Sequence, residues 1–271
     1  MFSIRRTVAA LAASSLVLIG AIGGAAAANA VTPVWAYHQI STKGAKQLWI
    51  LLHGDNVNGN QFCIDTNAAA FAAANKANVV CVTSPGNVYT GSSDDLQWVR
   101  RITINVQAAT KISRAHTYLV GFGSGADLAY ESACLEAPLY GGFAAFAGQW
   151  PVKDATSGAP ASWIKKCYPT AHRPVLSVHG TGDSVLTDAA ANLKGWQTFT
   201  SKALGLKSTA KSRASGFSGV TCQAVATKNS SVYCTWAGGR VFPIQANAAG
   251  TSTPIATFDG LTLAAKFITH G

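Results

Sequence analysis

Strand-like and helix-like segments alternate along most of this chain, and that alternation limits the fold more than any other feature, because a strand, a crossover helix and another strand build a mostly parallel sheet. Gln47 to Leu52 (QLWILL) is an apolar run of strand length, Thr66 to Ala77 is Ala-rich and helical, and Asn78 to Thr83 (NVVCVT) reads as the next strand. Asp94 to Thr110 spaces Leu96, Val99, Ile102, Ile104 and Val106 as a helix does, and His116 to Gly121 (HTYLVG) follows as a strand. Gly125 to Cys134 then reads as a helix, Phe143 to Gly148 and Pro174 to His179 as strands, and Asp188 to Ser201 as a helix. Val220 to Cys222 and Val232 to Trp236 flank the polar turn Lys228 to Ser231 as a hairpin, and Gly260 to His270 closes the chain as an amphipathic helix. No repeat or linker interrupts the series, so one domain is expected.

Composition excludes the main alternatives. Only 12% of the 271 residues are charged, 48% are apolar and 26 are Gly. That is about half the usual charged share, too little for a solvated coiled coil and too apolar for disorder, and the glycines lack the strict period of collagen. Met1 to Arg6 carries two positive charges, Thr7 to Ile22 is an uncharged apolar run, and Ala28-Asn29-Ala30 presents small residues before Val31. That order predicts a signal peptide over residues 1–30, with an N-terminal membrane anchor as the alternative, and a secreted domain, extracellular or periplasmic, over 31–271. No later segment is long and apolar enough to span a membrane.

Removing Arg5 and Arg6 from the 21 basic residues leaves 19 against 11 acidic ones, a net charge of +8. The sign favours an anionic surface such as a cell wall, an acidic polysaccharide or lipid head groups. Lys202, Lys207, Lys211 and Arg213 are interleaved with Ser, Ala and Gly rather than with aromatic residues, so a solubilising face is expected and nucleic acid is not. Six cysteines, Cys63, Cys81, Cys134, Cys167, Cys222 and Cys234, suit an exported protein with three disulfides. None forms a Cys-x-x-Cys pair, so no metal site is expected, and no cofactor is indicated. Proximity favours Cys63 with Cys81, Cys134 with Cys167, and Cys222 with Cys234.

Three strand ends carry the chemistry, since catalytic groups in such sheets gather beyond the carboxyl ends of the strands. They are Leu52-His53-Gly54-Asp55, the glycine-rich turn Gly121-Phe122-Gly123-Ser124-Gly125-Ala126, and His179-Gly180-Thr181-Gly182-Asp183. A nucleophile turn followed by an acid loop and then a histidine is the chain order of an α/β-hydrolase. Together with Phe62, Asp94-Asp95, Cys134 and Gly238-Gly239-Arg240-Val241-Phe242-Pro243, these segments resemble, over nearly the whole predicted mature chain, the secreted polyhydroxybutyrate depolymerase and feruloyl or acetylxylan esterase group. The resemblance implies an α/β-hydrolase fold, a mostly parallel central sheet with helices on both faces. It also implies polysaccharide, polyester or phenolic ester ligands.

The departures from that group fall on its catalytic residues. Gly123 stands where the resemblance places the nucleophilic serine, and Arg240 where it places the histidine. Glycine keeps a strained turn but offers no nucleophile, and a guanidinium cannot accept the serine proton. Asp183 is retained as the acid. If these residues share a site, Arg240 and Asp183 should pair, and a separation beyond ~6 Å would exclude it. The backbone N–H groups of Asp55 and Ser124 occupy the oxyanion-hole positions, although the Asp55 carboxylate would oppose a developing negative charge there. Two readings follow: a pseudo-hydrolase with a binding or scaffold role, or an active carboxylic-ester hydrolase that uses the neighbouring Ser124. Among the histidines, His53 and His179 sit at strand ends as packing or loop-ordering residues, whereas His38, His116 and His172 precede strands and His270 is nearly terminal. Trp98, Trp150, Trp163 and Trp236 are core residues or stacking faces for a sugar or phenolic ring.

Overall fold

The strands predicted from apolar runs become the middle of a nine-stranded sheet. The computed structural model describes residues 35–149, 167, 173–206, 209–225, 231–244 and 256–269. Its strands are β1 (Ala36–Ile40), β2 (Gln47–Leu52), β3 (Ala77–Thr83), β4 (Thr117–Phe122), β5 (Gly142–Phe146), β6 (Val175–Gly180), β7 (Lys211–Arg213), β8 (Val220–Val225) and β9 (Ser231–Trp236). They lie side by side in the order β1-β3-β2-β4-β5-β6-β9-β8-β7. The neighbours from β3 to β9 are parallel, while β1, β8 and β7 join antiparallel.

Because side chains alternate across a strand, each central strand supplies both faces of the sheet with apolar residues. Trp49, Leu51, Val79, Cys81, Val120 and Phe146 pack on one face with helices α1 (Gly59–Asp65), α2 (Ala68–Asn75) and α6 (Gly260–Ile268). Leu48, Ile50, Leu52, Val80, Val82 and Leu119 pack on the other with α3 (Ser93–Thr110), α4 (Ser124–Leu135) and α5 (Ala189–Thr198). The disulfides Cys63–Cys81, Cys134–Cys167 and Cys222–Cys234 tie α1 to β3, the end of α4 to residue 167, and β8 to β9.

Several local departures from the sequence pattern have identifiable causes. The helix expected over Thr66 to Ala77 is interrupted: Thr66 donates its hydroxyl to the Phe62 carbonyl at the end of α1, and Asn67 adopts a left-handed conformation before α2 begins. Lys76, also left-handed, ends α2 and releases Ala77 into β3. The strand expected to reach Gly148 stops at Phe146, because Ala147 turns to φ 51°. Strand β1 has half-exposed residues and no apolar run, which is why periodicity did not show it, and it places His38 opposite Cys81 within a strand rather than before one. Edge strand β7 is short and carries Lys211 and Arg213, side chains that discourage pairing with another chain. The helix expected over Asp188 to Ser201 continues past α5 as a wider turn over Phe199–Ala203. Thr200 in that turn and Trp196 in α5 both bond the buried Ser231 hydroxyl, at 2.8 and 2.7 Å.

Contacts divide the chain into Met1–Thr32 and Pro33–Gly271. The predicted signal peptide, His172, His270, Trp150, Trp163, Lys207 and the turn residues Lys228 to Ser230 lie outside the described residues. Among the described residues no helix is long and apolar enough to cross a membrane.

Candidate functional site

Strands β2, β4, β6 and β9 run the same way, so the loops after them emerge along one edge of the sheet. After β3 the chain crosses to the far side of β2 to form β4, and this change of direction opens a crevice between the loops that follow β2 and β4. His53-Gly54-Asp55 and Gly123 border it.

Gly123 adopts φ 55° and ψ −121° at the N-cap of α4, donates its N–H to the Phe146 carbonyl at 3.0 Å, and accepts from Ala126 and Asp127. Residues with side chains rarely adopt this conformation. The turn is tight because flanking backbones touch. A Cβ on Gly121 would lie 2.0 Å from the Gly125 carbonyl oxygen, and one on Gly125 would lie 2.5 Å from that of His53. At Gly123, by contrast, a Cβ would fit, at 3.3 Å from Gly54 Cα, 3.7 Å from Arg240 Nη2 and 3.7 Å from Asp55 Oδ2. The side-chain direction at Gly123 therefore faces Arg240.

Asp183 reaches the same place from the loop after β6. Its side chain is fully buried, its Oδ1 accepts the N–H groups of Val185 and Leu186 at 2.8 and 2.9 Å, and its Oδ2 lies 3.7 Å from Arg240 Nη1. That separation is an ion pair without a hydrogen bond. The loops carrying the two charges are locked together: Gly182 donates to the Gly238 carbonyl, Thr181 to that of Trp236, and a Cβ on Gly180 would lie 2.1 Å from the Gly238 oxygen. The ion pair expected from the sequence is present, with the guanidinium largely buried.

Asp127, one turn into α4, is a fourth member that the sequence reading missed. Burial pushes its carboxyl well above the usual carboxylate range; Arg240 opposes that shift, Asp55 adds to it, and a hydrogen bond from the Gln149 backbone opposes it. Its Oδ1 is buried without a hydrogen bond. The signal available in the sequence was its position, a carboxylate in the first turn of the helix that begins at the elbow.

Ser124 is the first residue of α4, so its N–H has no acceptor within the helix. Its hydroxyl is buried and accepts the Tyr89 N–H at 3.4 Å. Asp55 is exposed beside Gly54. His53 is buried in a neutral form that its partners dictate: Nε2 accepts the Ser84 N–H at 3.1 Å, so Nδ1 carries the proton and donates to the Gly54 carbonyl at 2.7 Å. Burial lowers its pKa, while the bond to Gly54 and the charge of Asp55 oppose that shift. His179 is buried as well. Burial draws its pKa down to about 4, with Asp183 opposing and Arg240 reinforcing the shift. Neither imidazole is set to accept a proton at neutral pH.

Trp98 is 38% exposed and stacks on Trp35 at 6.0 Å, with the Arg101 guanidinium 5.6 Å from its ring, whereas Trp236 is buried edge-on against Phe258. Among the described residues no cluster of His, Cys, Asp and Glu is arranged to hold a metal ion.

Comparison with protein families and with curated sequences finds no match. Solved structures do match in fold. An acetyl xylan esterase from Aspergillus awamori superposes with a TM-score of 0.63 at 12% identity, over 78% of this chain and 90% of that one. An S-formylglutathione hydrolase from Staphylococcus aureus gives 0.52 at 11% identity, over 61% and 81%. The fluorophosphonate-binding serine hydrolase F of the same bacterium gives 0.52 at 12% identity, over 62% and 80%. With its mostly parallel nine-stranded sheet, the protein has the α/β-hydrolase fold.

Proposed function

We propose that this is an exported pseudo-hydrolase, a protein of the depolymerase and cell-wall-esterase type of α/β-hydrolase that has lost acyl-transfer chemistry and keeps a binding role. One observation carries the reading: the side-chain direction at Gly123 points toward Arg240 at 3.7 Å, and Arg240 lies 3.7 Å from Asp183. On this reading Gly123, Arg240 and Asp183 fill the nucleophile, base and acid positions, and the first has no side chain and the second no lone pair to offer. The N-terminal charge and apolar pattern together with three disulfides support export.

The rival reading, ester hydrolysis with Ser124 as nucleophile, draws no support from the hydroxyl's position, which is buried against the Tyr89 backbone. Purified protein offered a chromogenic short-chain ester separates the two. Silence is expected, and turnover that Ser124→Ala abolishes would overturn the proposal. The double substitution Gly123→Ser with Arg240→His supplies the positive arm, since gain of esterase activity would identify the three positions directly.

A further inference from the structure

The excess positive charge of this chain is confined to one part of it. Beyond residue 30 there are 19 basic and 11 acidic residues, and residues 189–258 hold seven of the basic and none of the acidic ones. The rest of that chain carries 12 cations against 11 anions and is nearly neutral. A surface that serves solubility alone carries both signs interspersed. The two acidic residues that bound the stretch are engaged as helix caps. Asp188 accepts the N–H groups of Ala190 and Ala191 at 2.9 and 3.0 Å, and Asp259 accepts that of Thr262 at 2.8 Å.

The fold gathers these cations at the β7 edge of the sheet. Alternation along β7 puts Lys211 and Arg213 on one face, where the Arg213 guanidinium lies 4.9 Å from the Phe267 ring of α6, the helix that also carries the exposed Lys266. Lys194 and Lys202 belong to α5 and the turn after it, which pack on the opposite face. Ser201 and Ala210, the sequence neighbours of Lys202 and Lys211, line one cleft, so the two groups meet at the same end of the molecule. Lys194, Lys202, Lys211 and Lys266 are exposed, and among the described residues none of them joins an ion pair.

The form of this positive pole selects its partner. Its cations sit on both faces of an outward edge rather than along a groove, which suits end-on contact with a plane better than a track for a linear chain. Most are lysines, hydrated point charges that respond to a diffuse field, whereas arginines grip individual phosphates in pairs of bonds. Among the described residues no exposed large apolar side chain lies on α5, β7, β8 or β9, so contact rests on charge and not on insertion. We propose that the β7 end is a docking surface for an anionic lipid bilayer, on whose headgroups the exported protein adsorbs reversibly. The crevice beside Gly123 follows β4, five strands away from β7 in the sheet, so docking leaves it open.

Co-sedimentation of the purified exported form with vesicles of equimolar phosphatidylglycerol and phosphatidylcholine tests the surface. Binding is expected at low salt, with none to phosphatidylcholine alone, and raising the salt to ~0.5 M should release the protein. Each lysine near a charged bilayer contributes about fivefold to partitioning, so Lys202→Gln with Lys211→Gln should weaken it about 30-fold. Lys43→Gln with Lys46→Gln, exposed on the turn between β1 and β2, removes the same net charge elsewhere and should change it by less than about twofold. Equal losses in the two pairs, no binding to the charged vesicles, or binding that salt does not weaken would overturn the docking surface. Tighter association with linear polyphosphate at matched phosphate concentration would overturn the bilayer as the partner. Ester turnover would refute the pseudo-hydrolase reading and leave the positive pole standing.

Discussion

His179 and Glu131 provide a quantitative check on the buried charges around the site. His179 has 1% of its surface exposed, and its pKa falls from an ordinary 6.5 to about 4. Between those values the unfolded chain takes up a proton that the folded protein refuses, so acidification costs stability. At about 1.4 kcal/mol per pH unit, the loss approaches ~3 kcal/mol by pH 4. Glu131, on α4, behaves in the opposite way: burial, reinforced by the charge of Asp95, raises its pKa from 4.5 to about 7. The folded protein then holds the extra proton, and acidification from pH 7 to 4.5 adds ~3 kcal/mol. The two contributions nearly cancel in the parent and separate only in variants. Urea unfolding at pH 7, 5.5 and 4 is the assay. Relative to the parent, His179→Gln should gain ~3 kcal/mol as the pH falls, and Glu131→Gln should lose a similar amount. Parallel pH curves for His179→Gln and the parent would refute the reasoning, because His179 would then titrate near its ordinary value. It would return as a base beside Asp183, and the catalytic reading would reopen.

The remaining predictions concern the elbow. Gly125→Ala forces a Cβ to within 2.5 Å of the His53 carbonyl oxygen and 2.6 Å of that of Leu52, both rigid backbone, so thermal unfolding should show a loss of about 3 kcal/mol or failure to fold. Parent-like stability would disprove the close approach. The Cβ of Gly123→Ser meets no atom closer than 3.3 Å, so the conformational penalty of φ 55° dominates, a loss of about 1–3 kcal/mol in the same measurement. A loss larger than that of Gly125→Ala would reverse the assignment of which glycine is packed and which is merely strained.

Much of the sheet was legible because its central strands are buried on both faces and must be apolar throughout. QLWILL became β2 with the bounds that the run itself marks, and NVVCVT became most of β3. Segments governed by local hydrogen bonds or by edges were not legible: α1 begins after Asn58, whose side chain caps it by accepting the Gln61 N–H, and β1 has no hydrophobic period. The site divided in the same way. Gly123, Asp183 and Arg240, which the family resemblance set at corresponding positions, do come together, because their loops emerge at one edge of the sheet. Asp127 could not, because its importance lies in being buried beside a guanidinium supplied by a loop more than a hundred residues later. The neutral state of His53 likewise depends on Ser84, which approaches only once β2 and β3 pair.

The glycine-rich turn at the start of α4 has a structural basis independent of catalysis. The turn is held by Gly121 against the start of α4, by Gly125 against the ends of β2, and by the Gly123 N–H on the Phe146 carbonyl. None of these contacts involves a side chain at position 123. The turn would therefore stay where it is whether or not that residue reacts, and glycine is the residue for which the left-handed conformation costs least. Arg240 is constrained differently. The loop after β9 is fixed by Gly238 on Gly182, so a residue in that place must lie against the buried Asp183 carboxylate, and a cation offsets that charge where a neutral side chain would leave it uncompensated. Glycine at position 123 and arginine opposite Asp183 each satisfy the surrounding fold, whatever chemistry the site supports.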